Sequence, residues 1–247
     1  MARPPGRPGR GGKQRRPGGG RHGGAITVRG ETVRVATAAK RRPSSTRWLE
    51  RQLNDPYVAE ARHRGYRSRA AFKLLQLDER FHLLAAGRRV VDLGAAPGGW
   101  TQVAAAAVAP PGKPAGRVIA VDLLAMDAVP GAQILQLDFL AEAAPAAIRE
   151  ALGGTADLVL NDMAAPATGH APTDHLRIMA LAETAHDFAR QVLKPGGTFV
   201  AKVLRGGTER GLLDRLKRDF AKVRHVKPEA SRADSAEMYV VATGFRG

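Results

Sequence analysis

The fold is decided by residues 90–100, Val-Val-Asp-Leu-Gly-Ala-Ala-Pro-Gly-Gly-Trp. The two valines are β-branched and indicate the end of a buried strand, which Asp92 is predicted to close. The three glycines allow a tight turn and a close approach to a ligand, because glycine has no Cβ. From Trp100 onward the chain is predicted to continue as a helix. A strand, a glycine turn and a helix form the ligand-binding corner of a doubly wound α/β sheet.

The glycine spacing narrows the class of ligand. A dinucleotide fingerprint needs G-x-G-x-x-G, and here Gly94 and Gly99 fit while the middle position is Ala96. No Gly-Lys-Ser/Thr triplet of a phosphate-binding Walker loop follows the turn. An acidic residue just before the glycines suits a ligand with an amine or a positive charge. S-adenosylmethionine carries both an ammonium and a sulfonium group, and the turn therefore favours this cofactor over a pyrophosphate.

Length and composition define the class of protein. The 247 residues suffice for one sizeable domain. The absence of cysteine excludes disulfides, thiolate zinc sites and cysteine nucleophiles. No apolar run approaches the ~20 residues of a membrane span, and the N-terminus lacks the apolar core of a secretory signal. We expect a monomeric cytoplasmic protein that does not enter the membrane.

Positive charge is concentrated at the N-terminus. The net charge is +16, and residues 1–46 contain twelve Lys or Arg and one acid, Glu31. Such an imbalance points to a polyanionic partner, most plausibly nucleic acid. Residues 1–24 are rich in Arg, Gly and Pro and are similar to disordered segments that bind RNA through its backbone, although a solvated tail without function is an equal alternative. We predict a basic, disordered tail at 1–46 and one folded domain at 47–247.

Strand and helix signals alternate along the rest of the chain. Strands are predicted at 89–93, 117–122, 133–138, 157–162, 198–204, 223–227 and 238–244. Helices are predicted at 100–109, 141–152, 174–193 and 208–221. Alternation implies a mostly parallel, seven-stranded sheet with helices on both faces. No helix is predicted between the last two strands, so we expect them to pair antiparallel. This Rossmann-like α/β architecture is that of class I SAM-dependent methyltransferases.

Helices also precede the first strand. Residues 48–63 have helical spacing that Pro56 interrupts. Ser68 is predicted to cap a further helix that runs to about Phe81. Its inward face is predicted to contain Phe72, Leu75 and one of Leu74 or Leu77. The basic residues at its start, Arg67, Arg69 and Lys73, either bind a phosphate or form a solvated helix end.

Three acidic residues follow at the ends of predicted strands. Asp122 comes one βα unit after the glycine turn, where an acid can accept hydrogen bonds from both ribose hydroxyls. Asp138 ends the next strand, where adenine is expected. Asp162 ends the strand beside the point where the strand order reverses. Three acids in register after a glycine turn predict a nucleoside site.

These motifs together resemble the bacterial FtsJ/RrmJ-type (RlmE) ribosomal RNA 2′-O-methyltransferases. The resemblance covers about residues 47–247, nearly the whole predicted domain. The basic tail is longer than the family core requires. The matching stretches are Ser68-Arg-Ala-Ala-Phe-Lys-Leu74, Val91-Asp-Leu-Gly-Ala-Ala-Pro-Gly-Gly-Trp100, Asp122-Leu-Leu-Ala-Met-Asp127, Asn161-Asp-Met-Ala164, Pro195-Gly-Gly-Thr-Phe-Val-Ala-Lys-Val203 and Ser231-Arg-Ala-Asp-Ser-Ala-Glu-Met-Tyr-Val-Val-Ala-Thr-Gly244.

The resemblance implies a set of site residues. The family's Lys-Asp-Lys-Glu tetrad falls on Lys73, Asp162, Lys202 and Glu237. Its S-adenosylmethionine contacts fall on Gly98, Trp100, Asp122, Asp138 and Asp162. Within the tetrad, Lys202 is assigned as the general base, Lys73 and Glu237 as orienting groups, and Asp162 to the substrate and cofactor. No metal-binding cluster is visible, and the reaction needs no metal.

The resemblance also implies a substrate. The family methylates the ribose of a uridine in the A loop of 23S rRNA, and the assembled large ribosomal subunit is its expected substrate. One alternative is a 2′-O-methyltransferase that acts on tRNA or on another rRNA site. Another is a ribosome assembly factor that binds S-adenosylmethionine without catalysis. The family commonly has Ser-Asp-Met-Ala-Pro-Asn where this chain has Asn161-Asp-Met-Ala-Ala-Pro166, so a different loop shape is expected after Asp162.

Overall fold

The computed structural model describes Thr37 and residues 43–166, 168–205 and 210–247. Most of the predicted disordered tail, residues 1–36 and 38–42, lies outside the described residues. The first helix begins at Pro43, four residues before the predicted start of the domain. In the described part of the chain, no helix combines the length and apolar character needed to cross a membrane.

The described elements alternate between strands and helices from residue 89 onward. Three helices come first: α1 (Pro43–Leu53), α2 (Pro56–His63) and α3 (Ala71–Phe81). They are followed by β1 (Arg89–Leu93), α4 (Gly99–Val108), β2 (Arg117–Asp122), β3 (Ala132–Gln136), α5 (Ala144–Leu152), β4 (Ala156–Asn161), α6 (Ala171–Val192), β5 (Leu193–Leu204), α7 (Arg210–Asp219), β6 (Phe220–Val226) and β7 (Glu237–Phe245).

The strands form one seven-stranded sheet in the order β3-β2-β1-β4-β5-β7-β6. β1 pairs in parallel with β2 on one side and with β4 on the other, so the strand order reverses between β1 and β4. β7 runs antiparallel to both β5 and β6. The predicted mostly parallel sheet with one reversed strand is therefore confirmed. Ligands bind outside the carboxyl ends of the strands at such a reversal.

Helices cover both faces of the sheet, as predicted. α3 and α4 pack on one face, and α5, α6 and α7 pack on the other. The prediction that only one of Leu74 and Leu77 faces inward is wrong, because both are fully buried against the sheet. On its other side α3 buries Phe72 against Tyr57 of α2, with ring centroids 5.4 Å apart. α3 is thus enclosed between the sheet and α2, and this position holds its side chains rigidly.

The start of α3 differs from the prediction. The N-cap position is occupied by Ala70, and no side chain caps the helix. Ser68 is therefore not the cap. Its hydroxyl is buried without a hydrogen-bond partner among the described residues, and it lies 2.4 Å from where a Cβ of Gly99 would be. Ser68 packs against the glycine turn, which places the start of α3 next to the start of α4.

Several strand boundaries also shift, and β4 ends at Asn161, one residue before the Asp162 that was predicted to end it. β3 ends at Gln136, so Asp138 lies two residues beyond the strand that it was predicted to end. β6 begins at Phe220, three residues early. Residues 194–197 form an irregularity in β5, because Ala156 pairs with Leu193 while Leu158 pairs with Thr198. The Pro-Gly-Gly segment thus ends α6 as predicted and forms a bulge at the start of the next strand.

Candidate active site

A glycine turn and the loop after β4 meet at the carboxyl edge of the sheet. Gly94 follows β1 with a φ of +77°, and a Cβ at this position would lie 2.6 Å from the Cα of Met163. The N–H of Asp162 donates to the carbonyl of Leu93 over 3.0 Å. Only glycine permits this approach, so the predicted need for glycine at this turn has a steric cause.

A cavity of about 540 Å³ opens at this edge. Its volume lies within the range typical of small-molecule sites. Most of its lining is apolar, and carboxylates project from two of its walls. The lining includes Gly94, Asp122, Asp138, Phe139, Met163 and Leu181. An adenosine group fits this chemistry, since the walls can enclose a base while the carboxylates accept hydrogen bonds from hydroxyl and amine groups.

Asp122 and Asp138, the acids predicted to bind ribose and adenine, accept hydrogen bonds from backbone amides. Asp122 accepts from the N–H of Ala96 through Oδ2 at 2.9 Å and from Leu124 through Oδ1 at 2.8 Å. Asp138 accepts from the N–H of Leu140 at 2.9 Å. Each carboxylate oxygen has more than one acceptor site, so both residues keep capacity for a ligand. The Ala96 bond also ties Asp122 to the glycine turn.

Gly98 and Trp100 do not line this cavity. Gly98 is the N-cap of α4 with a φ of +108°, and no side chain caps the helix. The first N–H groups of α4 have no intrahelical acceptor and can therefore receive a carboxylate such as that of S-adenosylmethionine. The Trp100 indole N–H donates to the carbonyl of Ala70 over 2.8 Å. The indole N–H is thus already engaged, while the backbone N–H of Trp100 is one of the free donors at the start of α4.

Asp92 does not have the predicted role of meeting a charged ligand. Leu93, not Asp92, closes the strand, and Asp92 is fully buried outside the cavity lining. Its Oδ2 accepts from the Thr101 hydroxyl at 2.7 Å, while Oδ1 has no partner among the described residues. Burial, and next the charges of Asp162 and Asp122, raise the pKa of Asp92 to about 7, against the lowering effect of the Thr101 hydrogen bond.

The four tetrad residues come together at the edge of β4, β5 and β7. Lys202 donates from Nζ to the backbone carbonyl of Asp162 at 2.7 Å and to its Oδ1 at 3.0 Å. Lys73 of α3 lies 2.7 Å from Glu237 Oε1. Ser231 donates its hydroxyl to the same Glu237 oxygen at 2.9 Å. The tetrad is thus two lysine–carboxylate pairs, contributed by one helix and three strand ends.

Tyr239 joins the two pairs and was missed by the sequence analysis. Its hydroxyl donates to Asp162 Oδ1 at 2.7 Å and accepts from Lys73 Nζ at 3.2 Å. Tyr239 is fully buried and pairs directly with Lys202 across β5 and β7. The available signal was its spacing of two residues from Glu237, because alternate residues of a strand share one face.

The electrostatics favour a charged Asp162 and a neutral Tyr239. Burial by itself would raise the pKa of Asp162, but the charges of Lys202 and Lys73 and the Tyr239 hydrogen bond keep that pKa below its ordinary value. Burial and the nearby Asp162 and Glu237 carboxylates raise the pKa of Tyr239 well above its ordinary value. Tyr239 therefore stays a hydrogen-bond donor, and Asp162 stays a carboxylate that accepts from Lys202.

The basic start of α3 is neither a solvated helix end nor an open phosphate site. Arg67 donates to the backbone carbonyls of Asp127 and Ala128 at 2.7 and 2.6 Å. Arg69 forms an ion pair with Asp55 at 3.0 Å and donates to the carbonyl of Ala230. Both guanidinium groups therefore hold loops together around the site.

The altered loop after β4 is shaped by its own side chains. Asn161 Oδ1 accepts from the N–H of Met163 at 3.0 Å. Asp174 of α6 accepts from Thr168 N and Oγ1 at 2.8 and 2.7 Å. The Asn161 bond explains why asparagine can replace the serine that the family commonly has at this position. Both side chains offer an acceptor to the backbone N–H of the residue two positions later.

Comparison with known proteins identifies the family. The model of the FtsJ-like methyltransferase family matches residues 66–245. A Paramagnetospirillum magneticum protein named ribosomal RNA large subunit methyltransferase E is 66% identical over 217 residues, 87% of this chain and 89% of its own. A protein of the same name from Parvibaculum lavamentivorans is 63% identical and covers 91% of both chains.

A solved structure agrees with this likeness. A candidate ribosomal RNA methyltransferase from Plasmodium falciparum superposes with a TM-score of 0.64 at 28% identity, over 74% of this chain and all of its own. The family match covers every strand and both halves of the tetrad. The chain therefore belongs to the FtsJ-like methyltransferase family, whose methyl donor is S-adenosylmethionine.

Proposed function

We propose that this protein methylates the 2′-oxygen of a uridine ribose in the A loop of 23S rRNA, on the assembled large ribosomal subunit. The coarser part, methylation of large-subunit rRNA, is supported by the names of relatives 66% and 63% identical to this chain. The 2′-oxygen and the uridine rest on the resemblance of the tetrad motifs. A protein acting on ribosomes is expected to work in the cytoplasm.

One observation carries the proposal: Lys202 Nζ lies 3.0 Å from Asp162 Oδ1, immediately beside the cofactor cavity. The next residue, Met163, lines that cavity. The Lys202 side chain is only 8% exposed, so it is largely shielded from solvent. A basic group held against a fixed carboxylate at the rim of a nucleoside cavity suits proton removal from a bound hydroxyl.

The cavity residues would hold the cofactor from three sides. Asp122 would accept hydrogen bonds from the ribose hydroxyls, and Asp138 would accept from the adenine amine. The N-terminus of α4 would receive the carboxylate of the methionine part. When bound, S-adenosylmethionine supplies an electrophilic methyl group on a sulfonium, which is transferred in line to an oxygen nucleophile.

Lys202 would take the proton in this reaction. When the bound cofactor supplies its methyl group to the 2′-oxygen of the ribose, Lys202 Nζ would accept the hydroxyl proton. Lys202 must be neutral to accept this proton. Two of the three directions around Nζ are occupied by Asp162, which leaves the third for the substrate hydroxyl.

The remaining tetrad residues would orient this pair. Lys73 is fixed by Glu237 and donates to Tyr239, whose hydroxyl in turn fixes Asp162. The Asp162 carboxylate is therefore held in place by hydrogen bonds from Tyr239 and Lys202. Its position in turn fixes the position of Lys202 Nζ. Precise placement of a base relative to the reacting hydroxyl is a large part of what an enzyme contributes to such a reaction.

Reconstitution with purified components tests the proposal. The full-length protein is mixed with S-adenosylmethionine and large subunits that lack the methyl group, and nuclease digests are analysed by mass spectrometry. We expect one 2′-O-methyluridine in the A loop, and no product with tRNA or small subunits. Methylation of tRNA or of another rRNA site would overturn the assignment. Binding of S-adenosylmethionine with no methylation of any RNA would indicate the assembly-factor alternative.

A further inference from the structure

The outer edge of the sheet carries a concentration of positive charge that the proposed chemistry does not use. Residues 215–227, which span the end of α7 and all of β6, contain six Lys or Arg and one acid, Asp219. Among the described strands, β6 is the last of the sheet and pairs with β7 alone. Lys222 and Arg224 of β6 are both exposed; these two residues are called the basic edge below.

The basic edge lies on the same face of the sheet as the tetrad. Lys222 pairs with Thr243 and Arg224 with Val241, and directly paired residues of an antiparallel ladder share a face. Val226, on the same face of β6, pairs with Tyr239, which pairs with Lys202. Lys222, Arg224 and Val226 therefore lie on the same face of the sheet as the tetrad, and Val226 is the nearest of the three to it.

The charges of the basic edge are not neutralised by the protein. Within the described residues, neither Lys222 nor Arg224 has a carboxylate oxygen within 4.0 Å. Two basic groups nearer the tetrad are engaged: Arg69 with Asp55, and Lys227 with the carbonyls of Ala233 and Ser235. Two unneutralised cations on one exposed strand are thus available to an external anion.

The geometry suits a nucleic-acid backbone. With strands ~4.8 Å apart and a rise of ~3.4 Å per residue, Arg224 lies about 12 Å from Lys202 between Cα atoms, and about 7 Å from Lys222. Double-stranded DNA carries about one charge per 1.7 Å of its axis, so a duplex of that charge density spanning 12 Å presents about seven phosphates. We propose that the basic edge binds phosphates of an rRNA stem next to the target nucleotide. This inference rests on the proposed function.

A basic edge strand also has a purely structural explanation. Charged side chains, lysine above all, prevent an exposed edge from pairing with another sheet. The two explanations predict different consequences of removing the charges. Loss of edge protection alone would produce self-association without any change in RNA affinity, whereas loss of phosphate contacts would weaken RNA binding in a monodisperse protein.

The test compares Lys222→Gln/Arg224→Gln with a control, Lys113→Gln/Arg149→Gln, in the full-length protein. The control changes one Lys and one Arg, both exposed, on the half of the sheet away from β6. KM for large subunits and single-turnover rate at saturation are measured from 50 to 200 mM salt, with light scattering of each variant. The basic-edge variant should show a several-fold higher KM and a salt slope lower by about 1.5–2, with an unchanged saturated rate. The control should match wild type.

Two results would overturn the inference. One is an unchanged KM and salt slope in the basic-edge variant, whether or not it self-associates. The other is an equal change in the control, which would mean that net charge alone matters. A second variant, Arg224→Glu, should raise KM further than Arg224→Gln and provides an independent check. If wild-type protein methylates no RNA at all, it is the proposed function that fails, and direct binding of an rRNA fragment still tests the basic edge.

Discussion

The hydroxyl of Tyr239 lies 2.7 Å from Asp162 Oδ1 and donates a hydrogen bond to it. The same carboxylate oxygen lies 3.0 Å from Lys202 Nζ, and Tyr239 also accepts from Lys73. A neutral, buried phenol thus connects two ion pairs that come from distant parts of the sequence. The tetrad acts as one hydrogen-bonded unit because Tyr239 lies at its centre.

The Tyr239→Phe variant tests this connection. Removing the hydroxyl leaves Asp162 and Lys73 each without one partner, which costs roughly 1–3 kcal/mol per unsatisfied group. We expect the single-turnover rate to fall about tenfold, equivalent to ~1.4 kcal/mol, with unchanged affinity for S-adenosylmethionine. Tyr57→Phe is the matched control, because its hydroxyl accepts a hydrogen bond from Gln76, away from the tetrad. A wild-type rate in Tyr239→Phe would show that the connection is dispensable.

Asp122 is predicted to bind the cofactor ribose. Asp122→Ala should weaken S-adenosylmethionine binding by ~1.5–3 kcal/mol, the range for a charge-assisted hydrogen bond. Part of this loss comes from the Ala96 amide, which Asp122 holds in the turn. Isothermal titration calorimetry measures the effect, with Asp127→Ala as an exposed control in the same loop. Equal affinities for the two variants would remove Asp122 from the site.

Asp92 should make stability depend on pH. Its pKa of about 7 in the folded protein lies above the ordinary 3.8, so between these values the folded state binds a proton that the unfolded state has released. Stability due to this group therefore falls as pH rises from about 4 to 7, by roughly 4 kcal/mol. Asp92→Asn should flatten this part of the profile in urea unfolding. An identical slope in both proteins would contradict the assignment.

The basic tail is predicted to assist encounter with RNA. All twelve of its Lys and Arg residues lie within residues 1–42, so this segment can be deleted without removing α1. Deletion should raise KM for large subunits and reduce its salt dependence, with little change in the saturated rate. A full-length variant with the twelve residues changed to Gln should behave like the deletion. Collapse of the saturated rate in a folded protein would show a more specific role.

Local patterns in the sequence were sufficient to predict the sheet and the positions of its polar strand ends. Asp122 ends one apolar strand and Lys202 lies near the end of another, and parallel strands bring their carboxyl ends to one edge. Local patterns did not predict the actual roles of Ser68 and Arg67, and did not indicate Tyr239 at all. The roles of these residues depend on contacts between segments far apart in the chain, such as Arg67 with the carbonyl of Asp127. Helix propensity and periodicity carry no information about such contacts.

The role of Asp92 also depends on contacts that local patterns do not show. From the sequence it is an acid beside a glycine turn, which suits a charged ligand. In the fold its side chain lies beneath that turn, bonded to Thr101 of α4 and excluded from the cavity. Strand residues alternate in direction, and Asp92 points to the face of the sheet that α4 covers. The strand pattern alone does not show which helix covers that face.

Lys202 is the residue on which the proposed chemistry depends most, and its replacement by arginine tests the proposal most directly. A guanidinium keeps the positive charge and stays protonated near neutral pH, so it cannot accept the hydroxyl proton. The measurement is single-turnover transfer of labelled methyl to large subunits at saturating S-adenosylmethionine, with Lys202→Ala alongside. Loss of a general base typically costs ~10²–10⁴ in rate, and we expect at least that loss in both variants, with cofactor binding retained. A near wild-type rate in Lys202→Arg would show that Lys202 supplies only positive charge and is not the base.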